Sequence, residues 1–265
     1  MPREIFGPGK IFIGVVHLRP LPGSPRWGGD LERVLASAVE EAAILEQGGV
    51  RSIIVENFGD APFRLGRVAP ETVSAMTVAV NRVREAVQVP IGINMLRNDA
   101  LSGLGVAAVT GAEFIRVNVH YGMMAADEGL VEGEAHETTR QRRALGVDVK
   151  ILADVMVKHA VSLGPVDLGL MARETSQRGL ADGLIVSGQA TGQPTASFDV
   201  SVVRRAVPGG FVLVGSGVDE SNIWRVLEHA DGAIVGTSLK VDGIVSNPVD
   251  SGRVERLAEI FETLN

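Results

Sequence analysis

The chain has 265 residues, 45% hydrophobic and 22% charged, with a net charge of −7 and aromatic residues at only 4%. The acidic balance, with no basic run longer than "RQRR" (140–143), argues against a nucleic-acid groove, and the scarcity of rings argues against base-stacking platforms. The absence of cysteine excludes disulfides, thiolate nucleophiles and cysteine-ligated zinc.

Eight short runs rich in Ile and Val recur along the chain. They are "IFIGVVH" (11–17), "SIIVEN" (52–57), "IGINML" (91–96), "FIRVNV" (114–119), "VKILADV" (149–155), "GLIVSG" (183–188), "FVLVGSG" (211–217) and "GAIVGTS" (232–238). Each is too short for a helix and reads as a buried strand. Helical patterns follow them in turn, over 30–49, 70–88, 98–111, 134–146, 167–179, 198–207, 219–230 and 249–264. Asp30 is a plausible N-cap of the first, and Pro70 suits the first turn of the second. Strand and helix alternating eight times imply parallel pairing. Near-continuous apolar strands imply that both sheet faces are covered. The count and length predict one α/β domain over 1–265, a single (β/α)8 TIM barrel, with a doubly wound open sheet as the rival.

No run approaches the roughly 20 apolar residues that span a bilayer, and residues 1–10 lack a signal-peptide core. A cytoplasmic protein with no membrane span is expected. Helix 72–87, rich in Val and Ala, suggests a homo-oligomer contact.

Three connections are longer than a turn requires: 18–29, 58–69 and 120–133. All lie on the βα side, where such barrels place their active sites, and such loops often act as lids. Polar residues gather at the same ends of the strands. His17 ends the first and Glu56 the second, and Asn94 lies near the end of the third. Arg116, Asn118 and His120 share parity in the fourth, as do Lys150 and Asp154 in the fifth. Ser187, Ser216 and Ser238 close the last three. A polar group in a buried strand needs a partner or water, so this clustering predicts a pocket.

Asp154, followed by Lys158 and His159, is the leading acid or base, with Glu56 second and His17 and Lys150 as further catalytic candidates. Asn94, Arg116, Asn118, His120 and Ser187 are candidates for holding substrate. The bland alternatives are structural: a hydrogen-bonded His17, loop-tying asparagines, and an ion pair of Lys150 with Glu56 or Asp154. A Schiff base would fall to Lys150, with Lys240 a poor second.

"GSGVDESN" (215–222) joins a strand to a helix start, and the next strand ends in "VGTSLK". Gly215 and Gly217 permit unusual backbone angles and close approach, and a helix start favours an anion. Two consecutive small-residue turns after the seventh and eighth strands match the usual phosphate position. Gly215, Ser216, Gly217, Gly236, Thr237 and Ser238 are therefore candidates for phosphate binding, against plain turn chemistry. No metal ligand set is evident at a strand end, and no cofactor is implied. A weak divalent site on Glu56 and Asp154 stays open.

The motifs "IGVVHLRPLPGSPRW", "SIIVENFGDAPF", "IGINMLRNDA", "FIRVNVHYG", "ILADVMVKHA", "LIVSGQATGQPT", "GSGVDESNI" and "GTSLKVDG", in this order, resemble the BtpA/SgcQ family over nearly the whole length. The resemblance implies a barrel similar to the ribulose-phosphate-binding proteins. It leaves the activity divided between photosystem I biogenesis and a nucleosidase-like enzyme. The expected reading is an enzyme acting on a small phosphorylated sugar or nucleoside-type compound, by isomerisation, lysis or glycosidic cleavage. The alternative is a non-catalytic assembly factor.

Overall fold

The computed structural model describes residues 2–157, 159–188 and 195–264. Eight strands close into a parallel barrel: β1 (Ile11–His17), β2 (Ser52–Glu56), β3 (Ile91–Asn94), β4 (Phe114–Val117), β7 (Lys150–Met156), β9 (Gly183–Val186), β10 (Phe211–Val214) and β11 (Gly232–Val235). Pairing runs in chain order, and β11 closes on β1 with Ile11 opposite Gly232. This is the expected (β/α)8 topology, and the open sheet is set aside.

Helices α2 (Leu31–Gln47), α3 (Pro70–Ala86), α4 (Ala100–Thr110), α5 (Ala135–Leu145), α6 (Leu168–Gln177), α7 (Ser197–Ala206) and α9 (Ser251–Thr263) follow the strands. Their starts repeat one device. Asp30, Asp99, Asp167 and Asp250 each accept a backbone N–H three residues on, which satisfies an otherwise orphaned donor. The expected helix 219–230 shrinks to α8 (Ile223–Val226), because Asp219 and Asn222 fold the preceding residues into a turn.

Alternation along the strands divides the apolar residues in two. One set packs between sheet and helices. The other, including Ile11, Ile13, Val15, Ile54, Leu152, Ile185, Leu213 and Ile234, fills the barrel. The lower end is stoppered by α1 (Arg3–Phe6), which the sequence reading left unassigned. The Phe6 ring stacks on Phe211 at 5.5 Å and meets Phe114 edge-on at 5.2 Å. Arg3 pairs with Asp231 and helps hold the stopper in place.

The long 120–133 connection is not irregular. It forms a hairpin of β5 (Met123–Ala126) and β6 (Gly129–Glu132), and β8 (Ala160–Ser162), from the loop after β7, joins its other edge. This small antiparallel sheet packs Met124 and Val131 onto Val119 and Val157. At the hairpin tip, Glu128 is buried 3.3 Å from the Arg97 Nε. Among the described residues no helix is long and apolar enough to cross a membrane.

Removing the stopper's ring tests its contribution. Phe6→Ala should cost about 3 kcal/mol in urea unfolding, the usual loss for an emptied aromatic core site. A change below about 0.5 kcal/mol would show that the barrel floor stands without it.

Candidate functional site

The inward layer at the upper end of the barrel is polar. It is built from His17, Glu56, Asn94, Arg116, Asp154 and Ser187, each on the inward parity of its strand, together with Gly215 and Gly236. Above it opens a cavity of about 270 Å3. His17, Glu56 and Arg116 line its floor, and the turns 215–219 and 236–238 form its wall.

Arg116 and Asp154 are the hub. Arg116 Nε lies 2.9 Å from Asp154 Oδ2 and one terminal nitrogen 3.0 Å from Oδ1. Asn118 donates to the same carboxylate at 3.1 Å and the Ser187 hydroxyl at 2.7 Å. Arg116 and Asp154 are both buried. Burial works against the charge on Arg116, but Asp154 beside it, and Glu56 further off, outweigh this and hold its pKa above the ordinary value. Asp154 does not line the cavity. With four donors on its two oxygens, it anchors Arg116 and presents no open lone pair to a substrate.

Of the two strand-borne acids, Glu56 is the one that faces the cavity. Asn94 donates to its Oε2 at 2.6 Å, and His17 Nε2 stands 3.9 Å from Oε1. The His17 ring leans on Phe58, 4.7 Å between centroids. Among the described residues the Oδ1 atoms of Asn94 and Asn118 are buried without a hydrogen-bond partner. Such orphans are costly, and at a site they mark places where a ligand hydroxyl or water fits.

The wall is held together by its own hydrogen bonds. Ser238 donates its hydroxyl to the Val218 carbonyl at 2.6 Å, and Asn222 donates to the Gly217 carbonyl at 2.7 Å. Gly217 has φ +66°, which only glycine adopts without strain. Gly215 is required for a different reason: a Cβ there would lie 2.4 Å from Ile185 and from the Ser187 hydroxyl. The Arg253 side chain, from the first turn of α9, donates to the Ser238 carbonyl at 3.2 Å and lines the cavity. Asp219 also lines it, with Oδ1 engaged by the backbone N–H and hydroxyl of Ser221.

Of the expected residues, His17, Glu56, Arg116, Gly215, Ser216, Gly217, Gly236, Thr237 and Ser238 line this one cavity, while Asn94, Asn118, Asp154 and Ser187 support it from behind. Two do not belong. Lys150 shares parity with Asp154 but starts the strand, ~13 Å lower at about 3.3 Å per residue. It pairs with Asp148 at 2.6 Å and lies 3.9 Å from Glu4 of the stopper, so neither a Schiff base nor an ion pair with Glu56 falls to it. His120 lies beyond the end of β4, where alternation no longer applies. Its Nε2 is 2.7 Å from the Gly179 carbonyl, between helices, and burial keeps its pKa below the usual value. Lys240 is also elsewhere, buried and paired with Glu41 at 2.6 Å. Lys158 and residues 189–194 of the "GQATGQPT" run lie outside the described residues.

Among the described residues no cluster of three or more His, Asp or Glu stands ready for a metal ion. The pair considered for a divalent site, Glu56 and Asp154, is divided by function, since Asp154 is saturated by Arg116, Asn118 and Ser187. The sequence reading missed Arg253. A helix-borne arginine in a polar surface pattern carries no signal until the barrel closes and brings the start of α9 against the turn after β11.

The family model described as the BtpA family matches residues 9–263. The chain is 53% identical over 247 residues to the "Photosystem I biogenesis protein BtpA" of Synechocystis, covering 93% of this chain and 86% of that one. It is 34% identical over 260 residues to the "Putative sgc region protein SgcQ" of Escherichia coli, covering 97% and 96%. The solved N-(5'-phosphoribosyl)anthranilate isomerase of Pyrococcus furiosus superimposes with a TM-score of 0.57, covering 96% of this chain and 99% of that one; at 14% identity it shares the fold.

The hub is tested by unpairing it. Arg116→Met leaves a buried carboxylate without its cation and should cost about 3–5 kcal/mol in denaturant unfolding. Adding Asp154→Leu should recover most of that loss, the mark of coupled residues. Equal or additive losses would refute the coupling.

Proposed function

The chain belongs to the BtpA family, and from that premise we propose that it is an enzyme acting on a small phosphorylated sugar or nucleoside-type compound. The observation that carries this reading is one cavity uniting an open carboxylate, Glu56, with a buried guanidinium, Arg116, beneath the two small-residue turns that follow β10 and β11. Those turns are where barrels of this kind hold phosphate. Gly215, Ser216, Gly217, Gly236, Thr237 and Ser238 supply backbone and hydroxyl groups, and Arg253 adds the countercharge that a dianion needs.

In this reading Glu56 moves the proton, Asn94 fixes its orientation, and His17 stands beside it to share or exchange the charge. Arg116 stabilises negative charge that develops on the substrate, and Asp154 keeps Arg116 ionised and aimed. The phosphoribosyl group in the name of the Pyrococcus furiosus isomerase is consistent with this use of the fold. Isomerisation, lysis and glycosidic cleavage all draw on the same acid–base pair.

A second reading has its own observation. Phe198 on α7 and Trp224 on α8 are 71% and 53% exposed, on helices joined by the Ser197–Arg225 hydrogen bond. Exposed rings of this size suit a protein contact. With the Synechocystis relative's name, they support a role in assembly.

Inorganic phosphate and sugar phosphates should raise the melting temperature, by up to about 2.7 kcal/mol of stabilisation at a hundredfold excess over Kd. Arg253→Ala should remove most of that shift. Glu56→Gln should keep the shift while lowering turnover on the responding compound at least about 100-fold. No shift with any phosphate compound, and a stable partner lost on Phe198→Ser with Trp224→Ser, would place the assembly reading ahead.

A further inference from the structure

A second concavity adjoins the candidate site. It is a groove of about 750 Å3 between the small antiparallel sheet and the ends of β7 and β9. Ala125, Met156, Val157, Val161 and Val186 give it apolar walls. Its ionisable groups are Asp127, Asp199 and His159, and among the described residues no lysine or arginine lines it. The cavity, by contrast, sets the cations Arg116 and Arg253 beside its acids Glu56 and Asp219.

The partition between the two is one layer of side chains. Ser187 lines the groove, and its hydroxyl lies 3.4 Å from the Arg116 guanidinium, which lines the cavity. Gly188, also in the groove, donates its N–H to the hydroxyl of Ser216, a residue of the cavity wall, at 3.1 Å. A molecule anchored by an anion in the cavity thus has an apolar trough beside it, with Ser187 at the boundary.

We infer that the groove is the subsite for the second half of the substrate: a flat or apolar group, neutral or bearing hydrogen-bond donors, joined to a phosphorylated half in the cavity. The inference rests on the function proposed above and narrows its substrate to two-part compounds. Apolar walls favour a desolvated ring or chain. The carboxylates Asp127 and Asp199 favour amino groups at its edge and repel a second anion. A bare sugar phosphate would leave the groove filled with water and gain nothing from it.

Ribose 5-phosphate and the four nucleoside 5'-monophosphates are suitable probes, with binding measured by titration calorimetry on the full chain. At least one nucleotide should bind about tenfold or more tighter than ribose 5-phosphate, a gain of about 1.4 kcal/mol. Ala125→Trp fills the groove from the central strand of the small sheet, on the face opposite Met124. It should abolish the nucleotide's advantage and leave ribose 5-phosphate binding unchanged. Val109→Trp, on the exposed side of α4 and outside the groove, should change neither. Five equal affinities, or an advantage that survives Ala125→Trp, would overturn the subsite while leaving the phosphate reading intact. Failure of ribose 5-phosphate and of every nucleotide to bind would instead refute the function on which it rests.

Discussion

A closed parallel barrel points every second strand residue into a space that water does not fill, so any charge placed there must be neutralised on the spot. The pairing of Arg116 with Asp154 meets that demand. Its two partners come from adjacent strands, β4 and β7, and share the inward parity. Asn118 and Ser187 complete the coordination of the carboxylate, so three strands are drawn to one point. Because the pair uses up its own charges, the other strand-borne carboxylate, Glu56, is left facing the cavity. The division of labour between two buried acids follows from which of them the guanidinium reaches.

The barrel was legible because its determinants are local and periodic. Eight Ile/Val runs, eight helical patterns and aspartates at helix starts agree at every level. Most of the polar floor was legible as well, since alternation from His17, Glu56 and Arg116 places them inward. What failed did so for identifiable reasons. Lys150 has the right parity but the wrong height, and parity says nothing of height. His120 sits past the strand end, where the two-residue repeat stops. The β5–β6 hairpin and β8 are short, and "MMAA" and "AVS" do not alternate in a way that separates them from loop. Their pairing is a long-range event between two loops. Arg253 was invisible because its relevance depends on closure of the ring.

The two glycines of the turn after β10 divide in meaning. Gly217 needs its positive φ, which serves the turn, whereas Gly215 is small because Ile185 and Ser187 occupy the volume its side chain would take. The same "GSG" thus combines a backbone requirement with a packing requirement. The motif alone cannot separate either from ligand approach. The surroundings do, by placing Arg116, Arg253 and Glu56 around a common space.

The small antiparallel sheet has a further consequence. Its strands come from the loop after β4 and the loop after β7, the two barrel strands that carry Arg116 and Asp154. The partners of the central pair are therefore yoked twice, once by their side chains and again by backbone hydrogen bonds above them. Barrels of this architecture ordinarily diversify by exchanging one loop at a time over an unchanged scaffold. Here neither loop can be traded alone without stranding the other's edge, so variation at this corner of the mouth must proceed by coordinated replacement of both.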